Sequence, residues 1–251
     1  MNEITVKFNG FNLDDSNYSV GKVDFSGKDT ISAHAIPKSN ETILEDVRRG
    51  ALTISVEGMV IGSGYDDLRT NLDSLKAALR TNEQQFIIDD DRYVMAKMRD
   101  FDYSYTVMGG VAKYKALFMI GFPYWRKNNA TTDSRTPTSG VDYTITNNGN
   151  APARARVVIT AAGGVIADDC AFDNTTSGTS FRYRGTIAAS GVFVSDNRYT
   201  SDSFLATNAG TDDHENYEGD FITIYPGANL VRFTGVAGTT VSITFKDTWE
   251  A

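Results

Sequence analysis

The sequence predicts a mainly β protein built from two sheet domains with a single helix. Three observations predict it. Residues Gly219-Asp-Phe-Ile-Thr-Ile-Tyr-Pro-Gly-Ala-Asn-Leu-Val-Arg-Phe233 form two alternating runs around Pro226-Gly227. Side chains on an extended chain point to opposite faces, so Phe221, Thr223 and Tyr225 share one side and Ile222 and Ile224 the other. Pro226 fixes φ and Gly227 tolerates a positive φ, as a type II turn requires, and the stretch reads as a β-hairpin. Secondly, only residues 65–80 carry a helical period. Thirdly, Lys127-Asn-Asn-Ala-Thr-Thr-Asp-Ser-Arg-Thr-Pro-Thr-Ser-Gly140 is nearly free of apolar residues and rich in turn formers, the composition of a linker. The boundaries are a first domain over 1–127, a linker over 128–140 and a second domain over 141–251.

In the first domain, Ile4, Val6 and Phe8 make one alternating set. Leu52, Ile54 and Val56 make another, ending at Gly58. Phe86–Ile88, Tyr93–Met98 and Lys113–Ile120 are further strands, rich in β-branched and aromatic residues. Between them Leu68, Leu72, Leu75 and Leu79 fall four, three and four residues apart, one stripe of an amphipathic helix over Tyr65–Arg80. Ser63 is placed to cap it, and Asp66 and Asp67 sit at the positive end of its dipole. Asp89-Asp-Asp91 before Arg92-Tyr93 reads as a hairpin turn, and Phe122-Pro-Tyr-Trp125 closes the domain.

The second domain is strand after strand: Asp142–Thr146, Arg154–Thr160, Phe181–Ile187, Gly191–Ser195, Asp220–Tyr225, Asn229–Thr234 and Thr240–Lys246. Gly, Asn and Asp turns separate most of them. Short strands at this spacing predict a β-sandwich. Arg198–Glu218 is polar and acidic and reads as a long loop.

The 251 residues suit one large β domain or two of about 100–150 residues each. An apolar content of 41% is enough for real cores, and 22% charged residues argues against global disorder. No apolar run reaches the ~18 residues of a membrane span, and the N-terminus lacks the pattern of a secretion signal. A single cysteine, Cys170, excludes an internal disulfide. The net charge is −8. Up to Trp125 there are 14 Lys+Arg against 18 Asp+Glu, and beyond it 10 against 14, so each half stands at −4. With no basic lobe, nucleic acid is disfavoured as a bound partner, because phosphate contacts need clustered Lys and Arg.

Few residues are available for chemistry. The two histidines are His34 and His214. His34 has no carboxylate close in sequence and reads as a surface residue. His214 lies in Asp212-Asp-His-Glu-Asn-Tyr-Glu218, the one cluster with metal-ligand residue types. It has neither a calcium-loop pattern nor His-x-x-x-His spacing, so a solvated acidic loop stands beside an ion site as its reading, and is favoured. Asp89, Asp90 and Asp91 are adjacent in a turn, and Asp168 and Asp169 are similar. Such carboxylates splay apart and do not make the facing pair that cleaves a glycosidic bond. No Ser sits in a Gly-x-Ser-x-Gly elbow, and Cys170 has no His nearby in sequence. Gly62-x-Gly64 lacks the third glycine and the basic residue of a nucleotide loop, and reads as a turn. Tyr124, Trp125, Tyr183, Tyr199 and Trp249 read as core and interface packing, with sugar stacking as the other possibility. No catalytic, cofactor-binding or metal-binding residue is assigned, and no cofactor is expected.

The residues now align with a family. Phe8-Asn-Gly10, the Gly50-Ala-Leu-Thr-Ile-Ser-Val-Glu-Gly58 strand, the leucine-striped helix, Asp91-Arg-Tyr93 and Phe118-Met-Ile-Gly-Phe-Pro-Tyr-Trp125 come in order. Ile145-Thr-Asn-Asn-Gly-Asn-Ala-Pro152, Tyr225-Pro-Gly-Ala-Asn229 and Val241-Ser-Ile-Thr-Phe245 follow. Together they resemble the distal tail protein of long-tailed phages with non-contractile tails. The resemblance implies a tail-tube-like β-sandwich or split barrel with one helix, then a galectin-like β-sandwich. It implies a non-enzymatic structural protein of the virion, assembled in the host cytoplasm. Its copies form a hexameric ring at the distal end of the tail tube, joining the tube to the tail-tip hub or baseplate. The implied partners are other copies of itself, the tail tube protein, the hub protein and receptor-binding proteins. DNA passes through the lumen without specific binding, and no membrane is inserted. Two other classes remain: a carbohydrate-binding β-sandwich acting in host-surface adhesion, motivated by the aromatics of the second domain, and a depolymerase, motivated by the carboxylates.

Overall fold

The computed structural model describes residues 5–26, 52–88, 91–106, 110–122, 124–163, 169–198 and 204–250 in full, and the backbone alone of 29–35, 42–49 and 167–168. Ile4, Asp89, Asp90 and Tyr199 lie outside the described residues, as do the side chains of His34 and Asp168. Two compact units divide the chain, Met1–Trp125 and Arg126–Glu250.

The first unit runs β1 (Val6–Phe8), β2 (Phe11–Asn12), β3 (Tyr18–Ser26), β4 (Asp29–Ala35), β5 (Thr42–Arg49), β6 (Leu52–Ile61), α1 (Tyr65–Leu79), β7 (Gln84–Ile88), β8 (Arg92–Tyr105) and β9 (Val111–Ile120). The strands pair antiparallel in the order β2-β1-β7-β8-β9-β6-β3, and β4 and β5 form a separate ladder. One face of this sheet is apolar by alternation. Leu52, Ile54, Val56 and Val60 on β6, and Ala112, Tyr114, Ala116, Phe118 and Ile120 on β9, are buried. The Leu68/Leu72/Leu75/Leu79 stripe of α1 is buried in the same core, each leucine at most 1% exposed. Burial of this kind contributes about 1.5–3 kcal/mol per side chain.

Two local expectations are corrected. Gly58 does not end a strand; β6 runs through it to Ile61. It is a close-approach glycine, because a Cβ there would meet the Ser19 carbonyl at 2.2 Å and the Tyr114 ring at 2.8 Å. Nor does Ser63 cap the helix. The N-cap is Gly64, with no side-chain bond. The relation is reversed: the Ser63 N–H and hydroxyl donate to Asp67 Oδ2 at 2.7 and 2.9 Å, which also holds the Asp67 carboxyl below its ordinary range. Gly62 does serve the turn, since a Cβ would stand 2.3 Å from the Leu68 nitrogen.

Strand β10 (Tyr124–Lys127) crosses the division. The second unit continues with β11 (Thr131–Arg135), β12 (Asp142–Asn147), β13 (Ala153–Thr160), β14 (Ala167–Asn174), β15 (Thr179–Ile187), β16 (Val192–Asp196), β17 (Leu205–Asn208) and β18 (Thr211–Asp212). A 3₁₀ turn at His214–Asn216 leads to β19 (Tyr217–Gly219), β20 (Thr223–Ile224), β21 (Gly227–Thr234), β22 (Thr240–Phe245) and β23 (Thr248–Glu250). One sheet has the order β11-β22-β13-β16-β17-β18, with β20 also on β13; the other has β12-β21-β14-β15-β19. Their inner faces share one core. Val157, Ile159, Phe193, Ile243 and Phe245 come from the first sheet and Cys170, Phe172, Phe181, Tyr183 and Phe233 from the second. Phe193 lies 4.0 Å from the Tyr183 ring and 6.0 Å from Phe181 across the layers. The unit is a β-sandwich.

The Gly219–Phe233 stretch is not a hairpin. β20 pairs with β13, whereas β21 pairs with β12 and β14, so Pro226-Gly227 turns a corner from one sheet to the other. Gly227 does take the positive φ expected of it, +83°. The stretch expected as a linker contains β11, an edge strand that pairs residue by residue with β22. The expected loop over Arg198–Glu218 holds β17, β18, the 3₁₀ turn and β19. In both cases backbone pairing orders a polar sequence that carries no apolar alternation.

Candidate assembly surface

On β8 the register sets Phe101, Tyr103 and Tyr105 opposite Ala116, Tyr114 and Ala112 of β9, the core-side face of the sheet. Asp100, Asp102 and Ser104 alternate with them on the other face. Tyr65, in the first turn of α1, brings its ring to 5.9 Å from Tyr105. Tyr105 meets Tyr103 edge to face at 5.7 Å, and Phe101 stacks on Tyr114 at 6.1 Å. Lys76 Nζ lies 4.1 Å from the Tyr103 ring centre, a cation–π contact. Tyr65, Tyr103 and Tyr105 are 61%, 44% and 45% exposed. The apolar face of the sheet thus continues past the helix as an aromatic row open to solvent. Tyrosines of this kind, apolar in body and polar at the tip, are the residues enriched at protein interfaces.

The opposite face of the same ladder carries an ionic row beside the exposed Met59, Ile61 and Met119. Lys22, Glu57, Lys115 and Asp102 lie side by side across β3, β6, β9 and β8, so charge alternates strand by strand. Lys115 bonds Glu57 at 2.7 Å and lowers its carboxyl, and Lys22 pairs with Asp24 at 2.5 Å. Within this row the signs alternate, unlike the clustered Lys and Arg that phosphate contacts need.

In the second unit three outward arginines are matched by carboxylates: Arg232 with Asp142 at 2.7 Å, Arg184 with Glu218 at 2.6 Å, and Arg182 with Asp169. Tyr183 is fully buried. Its hydroxyl donates to Asp213 and accepts from Asn208 at 2.7 Å. Tyr124, Trp125 and Trp249 are half-buried. The large aromatics exposed among the described residues of this unit are Phe204, just before β17, and Tyr225, between β20 and β21. Cys170 is buried in the sandwich core. His34 lies on β4. His214 contacts Asp212 and the Phe204 carbonyl, and among the described residues no three His, Cys, Asp or Glu side chains converge as a metal site. No helix among them is long and apolar enough to cross a membrane.

The aromatic row is the surface feature that the sequence reading leaves out. Its signal is the alternation Phe101-Asp-Tyr-Ser-Tyr105, which the expected strand, ending at Met98, left out.

No family model and no curated protein matches the chain. Solved structures do. The SPP1 Dit (gp 19.1) protein, described as a paradigm of the hub adsorption apparatus in phages infecting Gram-positive bacteria, matches with a TM-score of 0.75 at 16% identity, over 96% of this chain and 98% of that one. A chain of the phage P2 baseplate in its activated conformation with calcium matches with a TM-score of 0.50 at 9% identity, over 96% and 97%. The chain has the Dit fold across nearly its whole length.

Proposed function

We propose that this chain is a structural protein of a phage tail, the hexameric ring at the distal end of the tail tube that joins the tube to the tail-tip hub. The observation that carries the reading is the fold match, which takes in both units of this chain and almost all of its counterpart. Local sequence motifs in the same order and the uncovered aromatic row support it. In this reading residues 1–127 build the ring and residues 141–251 form a galectin-like sandwich that projects from it. A ring needs a heterologous contact that closes by rotation, so two different faces of the chain must meet. The row Tyr65/Tyr103/Tyr105 is one of them. The charge-alternating face is suited to stand beside passing DNA without holding it. The chain works without catalysis, in the virion, after assembly in the host cytoplasm, and its partners are its own copies, the tube and hub proteins and a receptor-binding protein. Labelling tests this directly. An antibody or gold label on the protein marks the distal tip of isolated tails, between tube and hub; a label absent from the tail removes the reading.

A further inference from the structure

His214 sits where a hairpin ladder stops. Asn208 pairs with Thr211 and Thr207 with Asp212 across the turn at Ala209-Gly210, and the Asp213 N–H then reaches the Ala206 carbonyl at 2.8 Å. One step further the imidazole takes over. Its Nε2 lies 2.9 Å from the Phe204 carbonyl, and its Nδ1 meets the Asp212 carboxylate. Both partners are acceptors only. A neutral imidazole has one N–H and would turn a lone pair on the second oxygen, so the geometry is satisfied by the doubly protonated ring.

The residue so held is unusual. Phe204 has φ of +68°, a left-handed conformation costly for a bulky side chain. Its ring is 53% exposed, edge to face with Phe221 at 5.5 Å and beneath the Arg154 guanidinium at 5.4 Å. We propose that His214 is a proton-operated clasp that holds Phe204 and the adjacent exposed Leu205 in their presented conformation, and that loss of its proton releases them.

The surrounding charges define the range. The 3₁₀ turn packs against β15, β17 and β19. β17 carries no charge. On β15, Arg182 and Arg184 are tied to Asp169 and Glu218, the latter from β19. The Asp213 carboxylate is occupied by the Tyr183 hydroxyl and the Asn216 amide. Glu215 lies next to the ring in the chain, and the Arg154 guanidinium stands over the Phe204 ring. The Asp212 bond raises the His214 pKa above its ordinary value, and His214 lowers that of Asp212. The histidine contribution is therefore complete below about pH 6.5 and is lost as pH rises through the raised value. The Asp212 contribution is complete above about pH 4 and is lost as pH falls through the lowered value.

NMR of the full chain between pH 5 and pH 9 decides the matter, with His34→Gln assigning the two imidazole signals. The His214 ring titrates above the ordinary histidine value, and the Phe204 and Leu205 amide shifts follow the same midpoint. Asp212→Asn moves that midpoint down, and His214→Gln removes the pH dependence at Phe204. If His214→Gln does not fold, Asp212→Asn and the wild-type titration carry the test. A ring that titrates as an ordinary histidine, or amides at 204 and 205 that ignore its titration, overturns the proposal.

Discussion

Asn229 holds Tyr225 by both ends of one amide. Its Oδ1 accepts from the Tyr225 N–H at 2.9 Å, and its Nδ2 donates to the Tyr225 carbonyl at 2.7 Å. The same Nδ2 reaches the Gly227 carbonyl at 3.0 Å, and Asn174 Nδ2 donates to the Oδ1 at 3.0 Å. Asn229 is wholly buried. One side chain thus closes the corner by which the chain leaves the first sheet of the sandwich and enters the second. Asn229→Ala leaves these groups without their partner, at a cost of about 1–3 kcal/mol for each buried group not recovered by water. Denaturant unfolding checks it; a loss under about 0.5 kcal/mol would mean that the corner holds without the amide.

The leucine stripe makes a second expectation. Leu72 and Leu75 are at most 1% exposed between α1 and the sheet. Leu72→Ala or Leu75→Ala costs about 2–5 kcal/mol, the lost transfer energy plus the cavity left behind. Equilibrium unfolding of each variant measures it, and near-wild-type stability for both would contradict the packing.

Alkali tests the sandwich core. Burial pushes the Tyr217 phenol up to about 12, and raises Tyr183 and Tyr143 as well. The phenolate is the disfavoured form in the folded state. The contribution of these groups is fully present below about pH 10 and is lost as pH climbs through the raised values. Tyrosinate absorbance followed beside circular dichroism is expected to show a late ionisation step that coincides with unfolding. All twelve tyrosines ionising together near pH 10 with the fold intact would contradict it.

The aromatic row separates assembly from stability. Tyr103 and Tyr105 are about half exposed, so Tyr103→Ser with Tyr105→Ser changes the stability of a single subunit little. If the row is an intersubunit contact, interface anchors of this type carry about 2 kcal/mol or more, roughly thirtyfold in the association constant. Sedimentation of wild type and variant compares the two. Unchanged self-association would place the contact elsewhere.

What the sequence made legible follows from where apolar periodicity exists. The α1 stripe and strands β6, β9, β13 and β22 alternate cleanly, because one side of each faces a core. β11 reads Thr-Thr-Asp-Ser-Arg and has no apolar side to announce it; its order comes from the open edge of β22. β18 and β19 are hidden in the same way by their polar, acidic residues, and β17, Leu-Ala-Thr-Asn, by its shortness. The Gly219–Phe233 stretch shows the limit from the other direction. Local chemistry gave two extended runs and a positive φ at Gly227, but the partners of those runs, β13, β12 and β14, lie far away in the chain. Alternation reports which face is buried and is silent on which strand is next door. The aromatic row was hidden by a register shift between Met98 and Asp100, which interrupts the alternation of β8 just before Phe101.

The proposed role requires that this polypeptide close on copies of itself. Mass photometry and negative-stain imaging of the purified full chain give both number and symmetry. The expected result is a six-membered annulus with a central channel. A folded chain that stays monomeric at high concentration, alone and with tail-tube protein present, would contradict the account.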